Sequence, residues 1–237
     1  GRLSYEPTLP DTLFERTLAV RFPEVPAAKL FAASSAASKI IPQTTRFFWG
    51  DIDLKWFPEA CTRHPCPKGF YTVKHLIAGE TMPGSGILSI GAYRDRLLMN
   101  KSMDGITPPE VALALKGHAA TTLQLLSQMP EKVTDKELRL TLGDLKAMAH
   151  LGNYYAEKIL GATDLALFDK TGEAELKESA VKHLQEAMEH WKAYAAAATR
   201  QYRPQLLTRI GYVDLSALAE KTRQDVDMAS EWKPQKP

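Results

Sequence analysis

The spacing of hydrophobic and polar positions changes near Gly105. Before this residue the apolar segments are short, and prolines and glycines interrupt them often. After it, apolar residues recur every three or four positions over long segments, which is the spacing of amphipathic helices. The pattern predicts an all-α protein with an irregular helical N-terminal third followed by a helical bundle. We expect residues 1–104 to pack on the bundle, residues 105–232 to form it, and residues 233–237 to be a frayed tail.

Three long helices and one shorter helix are predicted for the bundle. Residues 107–110 read Thr-Pro-Pro-Glu, which combines an N-cap threonine, a first-turn proline and the glutamate of a capping box. Because the connections between the helices are short, we expect antiparallel packing. The predicted helices cover about residues 107–129, 134–168 and 173–202, and the short one starts from Asp214 or Ser216.

The N-terminal third is predicted to hold shorter helices around an irregular segment. Pro42 should end or kink the second of these helices, because proline disrupts a helix interior. The predicted helices cover residues 11–22, 26–41, 70–79 and 87–99, with residues 44–70 irregular.

Composition narrows the range of partners. The chain has 237 residues, 44% of them hydrophobic, which is enough for a sizeable core. Its formal net charge is only +2, and no dense basic segment is present, so we expect no nucleic-acid partner. No apolar run approaches the roughly 18 residues of a membrane span, so we expect none.

Aromatic and acidic residues are concentrated in residues 47–59, where two of the four tryptophans and three of the eight phenylalanines lie. Flat aromatic faces beside carboxylates suit a sugar, which offers apolar C–H faces and hydroxyl groups. Core packing of the tryptophans and capping of backbone amides by the carboxylates are the alternatives. The candidate carbohydrate-binding residues are Trp49, Asp51, Asp53, Trp56 and Glu59.

No catalytic motif is recognisable in the sequence. Residues 82–86 miss the Gly-x-Ser-x-Gly pattern by one position, and no phosphate-binding loop is present. Glycoside hydrolysis commonly needs two carboxyl groups about 5 to 10 Å apart, and the sequence does not give that distance. We therefore assign no catalytic residue.

Histidine and cysteine spacing gives no strong metal signature. His183 and His190 share one helical face, but the Glu-x-x-His pattern of di-iron bundles is absent, so we interpret both as solvated or core-edge histidines and expect no metal or cofactor. Cys61 and Cys66 stand five residues apart and are candidates for a disulfide in an oxidising compartment. A zinc site completed by His64 and His75 has irregular spacing and is the weaker alternative.

Several segments resemble one enzyme family. Residues 1–11, whose first seven positions carry the Gly-Arg-Leu-x-Tyr-x-Pro pattern, look like the segment that follows the catalytic barrel in large bacterial alpha-glucuronidase-type glycoside hydrolases. Further segments are similar to the helical C-terminal domain of such proteins, which are predicted to degrade polysaccharides. These segments are residues 48–53, 56–61, 104–110 and 190–194.

The resemblance implies a role for the chain. It would be a C-terminal accessory domain, excised from a longer polypeptide, that packs on an upstream catalytic barrel and does not hydrolyse anything alone. Trp49, Asp51 and Trp56 would contribute to binding a carbohydrate substrate. Such enzymes are often exported, which implies an extracytoplasmic, periplasmic or secreted location and favours the disulfide. The alternative is a helical protein-interaction module without a sugar-binding role.

Overall fold

The computed structural model describes Glu6 and residues 8–49, 56–63, 69–207 and 210–234, except the side chains of Trp56 and Arg63. Within these residues the protein is mostly helical, which confirms the predicted all-α class. The helices are α1 (Asp11–Arg21), α2 (Ala27–Ala37), α3 (Ile40–Phe47), α4 (Val73–Ala78), α5 (Ile90–Leu98), α6 (Pro108–Leu126), α7 (Lys136–Thr171), α8 (Ala174–Ala198) and α9 (Ala219–Glu231). Two antiparallel pairs of short strands accompany them, β1 (Trp56–Phe57) with β2 (Thr62–Arg63) and β3 (Gln205–Leu207) with β4 (Gly211–Val213).

Several bundle-helix ends lie at the signals that predicted them, although α9 begins at Ala219 rather than at Asp214 or Ser216. The Thr107 hydroxyl accepts the backbone N–H of Glu110, whose carboxylate accepts the N–H of Thr107 in return. Asp135 caps α7 by accepting the N–H of Leu138 at 2.8 Å. Gly172 ends α7 in the left-handed region, at φ 72°, where a side chain would be strained.

Helix α7 is the central element of the fold. It packs against α6 and α8 in the bundle and against α3, α4 and α5 of the N-terminal third. Glycines allow the closest approaches, because a Cβ at Gly161 would lie 2.7 Å from Leu184 Cγ and one at Gly152 would lie 2.9 Å from Ile40 Cδ1. One hydrophobic core therefore runs from the bundle into the N-terminal third.

Two local predictions were wrong. Residues 44–47, predicted to be irregular, belong to α3, and the break falls at Ser38 and Lys39 rather than at Pro42. Pro42 lies in the first turn of α3, where its missing N–H has no intrahelical partner to lose. The pair β3–β4 was not predicted, because strands of three residues show no readable alternation.

Candidate functional site

A buried lysine joins the irregular N-terminal third to the bundle. Lys158 of α7 is 0% exposed, and its ammonium group donates to the Tyr71 carbonyl and, at 2.9 Å, to the Tyr154 hydroxyl. The Nζ atom also lies 4.6 Å from the centre of the Phe70 ring. These contacts attach the chain at residues 70–71 to the middle of α7.

Asp225 of α9 supplies the opposite charge. Its Oδ2 lies 2.7 Å from Lys158 Nζ, and its Oδ1 accepts the backbone N–H of Val73 at 2.9 Å. Burial acts to lower the pKa of Lys158, but Asp225 and Cys61 together outweigh it, so the net pKa shift is upward and the lysine stays charged. Burial also raises the pKa of Asp225, against the opposing effect of the Lys158 ammonium group. We call Lys158, Asp225, Tyr154 and Cys61 the closed hub.

Cys61 belongs to the closed hub as a buried thiol. Its Sγ accepts the Tyr154 hydroxyl at 3.2 Å and lies 3.6 Å from Lys158 Nζ. Cys66, its predicted disulfide partner, lies outside the described residues, so the pairing stays a prediction. Of the histidines considered for zinc, His75 instead uses Nδ1 to accept the Thr72 N–H at the start of α4.

Two further tyrosines hold the turn at residues 58–60 against the bundle. Tyr155 donates to the Pro58 carbonyl at 2.5 Å, and Tyr194 donates to the Glu59 carbonyl at 2.8 Å. Burial, reinforced by the Glu59 carboxylate, raises the pKa of Tyr194, so this hydroxyl stays a donor across the physiological range. The backbone of the turn is thereby held against α7 and α8.

A cavity of about 580 Å³ lies beside this turn. Its walls come from the turn, α7, the end of α8 and the pair β3–β4. Most of its lining is apolar, with a few polar groups, which is the usual make-up of a small-molecule site. The lining residues are Phe57, Glu59, Ala60, Asp144, Ala147, Met148, Leu151, Tyr194, Ala198, Tyr202, Arg203, Gln205, Leu207, Val213 and Leu215.

The polar groups of the cavity include a pre-organised carboxylate. Asp144 Oδ1 accepts both Gln201 Nε2 and the Tyr202 hydroxyl, each at 2.8 Å. The hydrogen bond to Asp144 raises the pKa of Tyr202. With Glu59 and Arg203, the cavity offers two carboxylates, a guanidinium group and an aromatic ring, which together can bind a polyhydroxylated ligand.

The structure brings only part of the predicted carbohydrate-binding set to this cavity. Glu59 lines it, as does its neighbour Phe57, whereas Trp49 is not among the lining residues and donates its backbone N–H to Glu80. Asp51, Asp53 and the side chain of Trp56 lie outside the described part of the chain. Phe47 and Phe48, from the same segment, are buried in the core.

Sequence reasoning missed Asp144. It stands among ordinary helical polar residues of α7, and only the fold places it beside Tyr202. The aromatic and arginine residues near the end of α8 divide between two places. Trp191 is fully buried and donates to the Leu215 carbonyl, whereas Tyr202 and Arg203 line the cavity.

Comparison with known proteins shows the fold. No protein-family model matches the chain, and no curated protein matches its sequence. The solved structure of a GH138 enzyme, described as targeting pectin rhamnogalacturonan II, matches 97% of this chain with a TM-score of 0.79 at 12% sequence identity. The match covers 36% of that enzyme, so this chain spans about a third of its length. The protein therefore has the fold of a helical part of a glycoside hydrolase.

The described helices also bear on the expected absence of a membrane span. Among them, none combines the length and the apolar character needed to cross a bilayer.

Proposed function

We propose that the chain is a helical accessory domain of a larger glycoside hydrolase and that the cavity beside Glu59 contacts the carbohydrate substrate. The likeness to one third of a GH138 enzyme along nearly the whole chain carries this proposal. The resemblance of residues 1–11 to the segment after an alpha-glucuronidase-type barrel supports a position downstream of a catalytic domain. The proposal includes an extracytoplasmic location and the upstream domain as a partner within the same polypeptide.

The make-up of the cavity supports contact with sugar. Phe57 and Tyr202 offer aromatic faces for the apolar C–H side of a sugar ring, and Glu59 and Asp144 offer acceptors for its hydroxyls. Trp49, Asp51, Asp53 and Trp56 precede this lining directly along the chain. We propose that residues 47–59 extend the cavity towards the catalytic domain.

A pair of exposed apolar residues lies near the cavity. Leu206 and Tyr212 are cross-strand neighbours in β3–β4 and are 79% and 62% exposed, while the adjacent Leu207 and Val213 line the cavity. If the chain were a protein-interaction module without a sugar-binding role, we would expect an exposed apolar patch remote from residues 47–59. Outside β3–β4 the exposed large hydrophobic residues of the described chain are Val20, Leu97, Leu98, Met99, Ile106, Leu113 and Tyr202. The accessory-domain proposal therefore rests on the fold likeness.

Glycan binding tests the proposal, with oligosaccharides prepared from pectin as the probe. We expect Tyr202→Ala and Glu59→Gln to weaken affinity roughly tenfold, equal to about 1.4 kcal/mol, because each removes a contact to the sugar. Tyr212→Ala is the matched control, since Tyr212 is an exposed tyrosine outside the cavity lining. Equal affinity in all three variants and the parent chain would remove the cavity from the proposal.

The role of residues 47–59 and of the upstream domain needs separate tests. We expect Trp49→Ala and Trp56→Ala to lower glycan affinity and turnover by the full-length protein, and unchanged values in both would exclude this segment. Reading the gene upstream of Gly1 tests the accessory role, because the proposal requires several hundred codons of alternating strand and helix patterns. Hydrolysis by this chain alone, abolished in Glu59→Gln, would instead make it an enzyme in its own right.

A further inference from the structure

A second polar cluster lies on the other side of α7, outside the cavity and the closed hub. Glu157 is only 3% exposed, and its two carboxylate oxygens lie 2.6 Å from Lys116 Nζ of α6 and 2.6 Å from His183 Nδ1 of α8. Glu186 is one helical turn after His183 and is half-buried. The carboxylate and imidazole donor atoms of Glu157, His183 and Glu186 all lie within 4.8 Å of one another. We call these three residues with Lys116 the open cluster.

Helix geometry explains why these groups meet. Glu157 and Asp164 are seven residues apart on α7, and His183, Glu186 and His190 follow three- and four-residue spacings on α8, so each set shares one face. The close approach of α7 and α8 at Gly161 brings the two faces together. Facing helices of a bundle are a usual source of carboxylate and histidine metal ligands.

Carboxylates outnumber permanent cations among the described residues that meet at the open cluster. Asp164 adds a third carboxylate, held by a 2.7 Å hydrogen bond from Ser179, and its Oδ2 lies 4.0 Å from His183 Nε2. Against the three carboxylates stands the permanent cation of Lys116. A divalent cation would offset the excess negative charge.

The distances require only a small adjustment for a metal ion. Ligand atoms at about 2.0 to 2.2 Å from zinc stand roughly 3 to 3.5 Å apart, whereas His183 Nδ1 and the Glu157 oxygen are 2.6 Å apart. A metal between them would replace their hydrogen bond and open this gap by less than about 1 Å. The Lys116 side chain is 39% exposed, so its ammonium group can turn into solvent when a cation takes its place.

We propose that Glu157, His183 and Glu186 form a binding site for a divalent transition-metal ion of the zinc class, in competition with the Lys116 ammonium group. Two carboxylates and one imidazole give three protein ligands and leave a coordination position for water. This site is independent of the proposed carbohydrate cavity, because it shares no residue with the cavity lining.

Equilibrium dialysis of the metal-free chain against zinc tests this site. We expect one equivalent to bind and the affinity to fall at least tenfold in His183→Gln and in Glu186→Gln, because each loses one of three ligands. Both residues are partly exposed, so these variants should fold. The matched controls are Glu189→Gln, on the same helix but paired with Lys192, and His118→Gln on α6, and both should bind like the parent chain.

Lys116→Met separates a metal site from a plain ion-pair network. If the ammonium group competes with the metal, removing it should tighten zinc binding several-fold, and cobalt should give a visible absorption band that zinc abolishes. A purely structural network predicts a destabilised Lys116→Met variant with no gain in zinc affinity. That result would overturn the proposal, as would zinc binding that persists unchanged in His183→Gln and Glu186→Gln.

Discussion

Glu157 and Lys158 are neighbours on α7, yet they serve two opposite kinds of polar cluster. Consecutive residues of a helix point about 100° apart, so Lys158 faces the N-terminal third and α9 while Glu157 faces α6 and α8. In the closed hub the partners of Lys158 are themselves buried, and the Asp225 carboxylate balances its charge. In the open cluster the partners are partly exposed, and three carboxylates surround the Lys116 ammonium group and His183.

The difference indicates two uses of buried charge. A fully satisfied and fully enclosed ion pair leaves no space or charge for a ligand, so the closed hub acts as a joint between parts of the fold. A cluster with excess negative charge and a displaceable lysine is stable as it stands and can still accept a cation. Four stability measurements test this division.

The largest expected effect is that of Lys158→Met. It leaves the Asp225 carboxylate buried without a counter-charge, and breaking a buried pair in this way costs about 3 to 5 kcal/mol of unfolding free energy. Urea denaturation measures the loss. Glu157→Gln is the comparison, because Lys116 and His183 are partly exposed and reach water, so its cost should be clearly smaller. Equal losses in the two variants would contradict the distinction between hub and open cluster.

Gly161→Ala tests the helix contact beside the open cluster. Its new Cβ would lie 2.7 Å from Leu184 Cγ and 3.1 Å from the Ala180 carbonyl oxygen, so α7 and α8 must move apart, at a cost of about 1 to 3 kcal/mol. Gly117→Ala on α6 is the matched control, because outside its own stretch of helix no described heavy atom lies within 4 Å of the added Cβ, and helix propensity should raise stability by about 0.5 to 1 kcal/mol. The two melting temperatures should therefore shift in opposite directions.

Tyr155→Phe tests how the turn at residues 58–60 is held next to the closed hub. The variant keeps the ring in place and leaves the buried Pro58 carbonyl without its donor, which should cost about 1 to 2 kcal/mol. Denaturant midpoints measure the change. We also expect weaker glycan binding, since the same turn carries Glu59 into the cavity. Unchanged binding despite the loss of stability would show that other contacts position Glu59.

The smallest expected effect is on the pH dependence of stability, through a histidine on the same face of α7 as Glu157. His150 is seven residues before Glu157, its Nδ1 is buried with no hydrogen-bond partner among the described residues, and burial, with Lys146 and His190 nearby, lowers its pKa. Because the unfolded chain takes up this proton more readily, His150 should reduce stability as pH falls below its ordinary pKa of 6.5 and have no effect above it.

Thermal unfolding from about pH 7.5 to about pH 5.5 measures this effect. His150→Gln should lose less stability over that interval than the parent chain. His118 and His190, whose pKa values burial also lowers, should maintain the remaining decrease. A variant whose stability falls as steeply as that of the parent chain would show that His150 is already protonated in the folded state or is uninvolved.

Much of the helical fold was predictable because its signals are local. The Thr107 capping box and Gly172 fix helix ends through contacts within a few residues, and the apolar spacing of α6 to α8 identifies their buried faces. The prediction of a break at Pro42 was wrong because proline disrupts a helix only in its interior. The break at Ser38 and Lys39 makes Pro42 a first-turn residue of α3.

The polar clusters were not predictable, because their members meet only in three dimensions. In the sequence Lys158 resembles an ordinary solvated lysine, and only the fold places Asp225 and Tyr71 against it. In the same way Asp144 resembles a surface carboxylate, and only the fold brings Tyr202 into hydrogen-bond contact with it. His183 was interpreted as a solvated or core-edge histidine, and its half-buried position agrees. Its carboxylate partner Glu157 lies 26 residues away on another helix, so a local pattern such as Glu-x-x-His cannot identify the pair.

The hydrogen bond from the Val73 N–H to Asp225 joins residues 152 positions apart and sets an order of assembly during synthesis. During synthesis the segment around Val73 leaves the ribosome before α9 has been translated. Val73 therefore cannot form its hydrogen bond to Asp225 until α9 is also available. Contacts between such distant residues form late and slowly. We therefore expect the segment around Val73 to depend on α9 for its final packing, and truncation before Asp225 should leave that segment open to proteases.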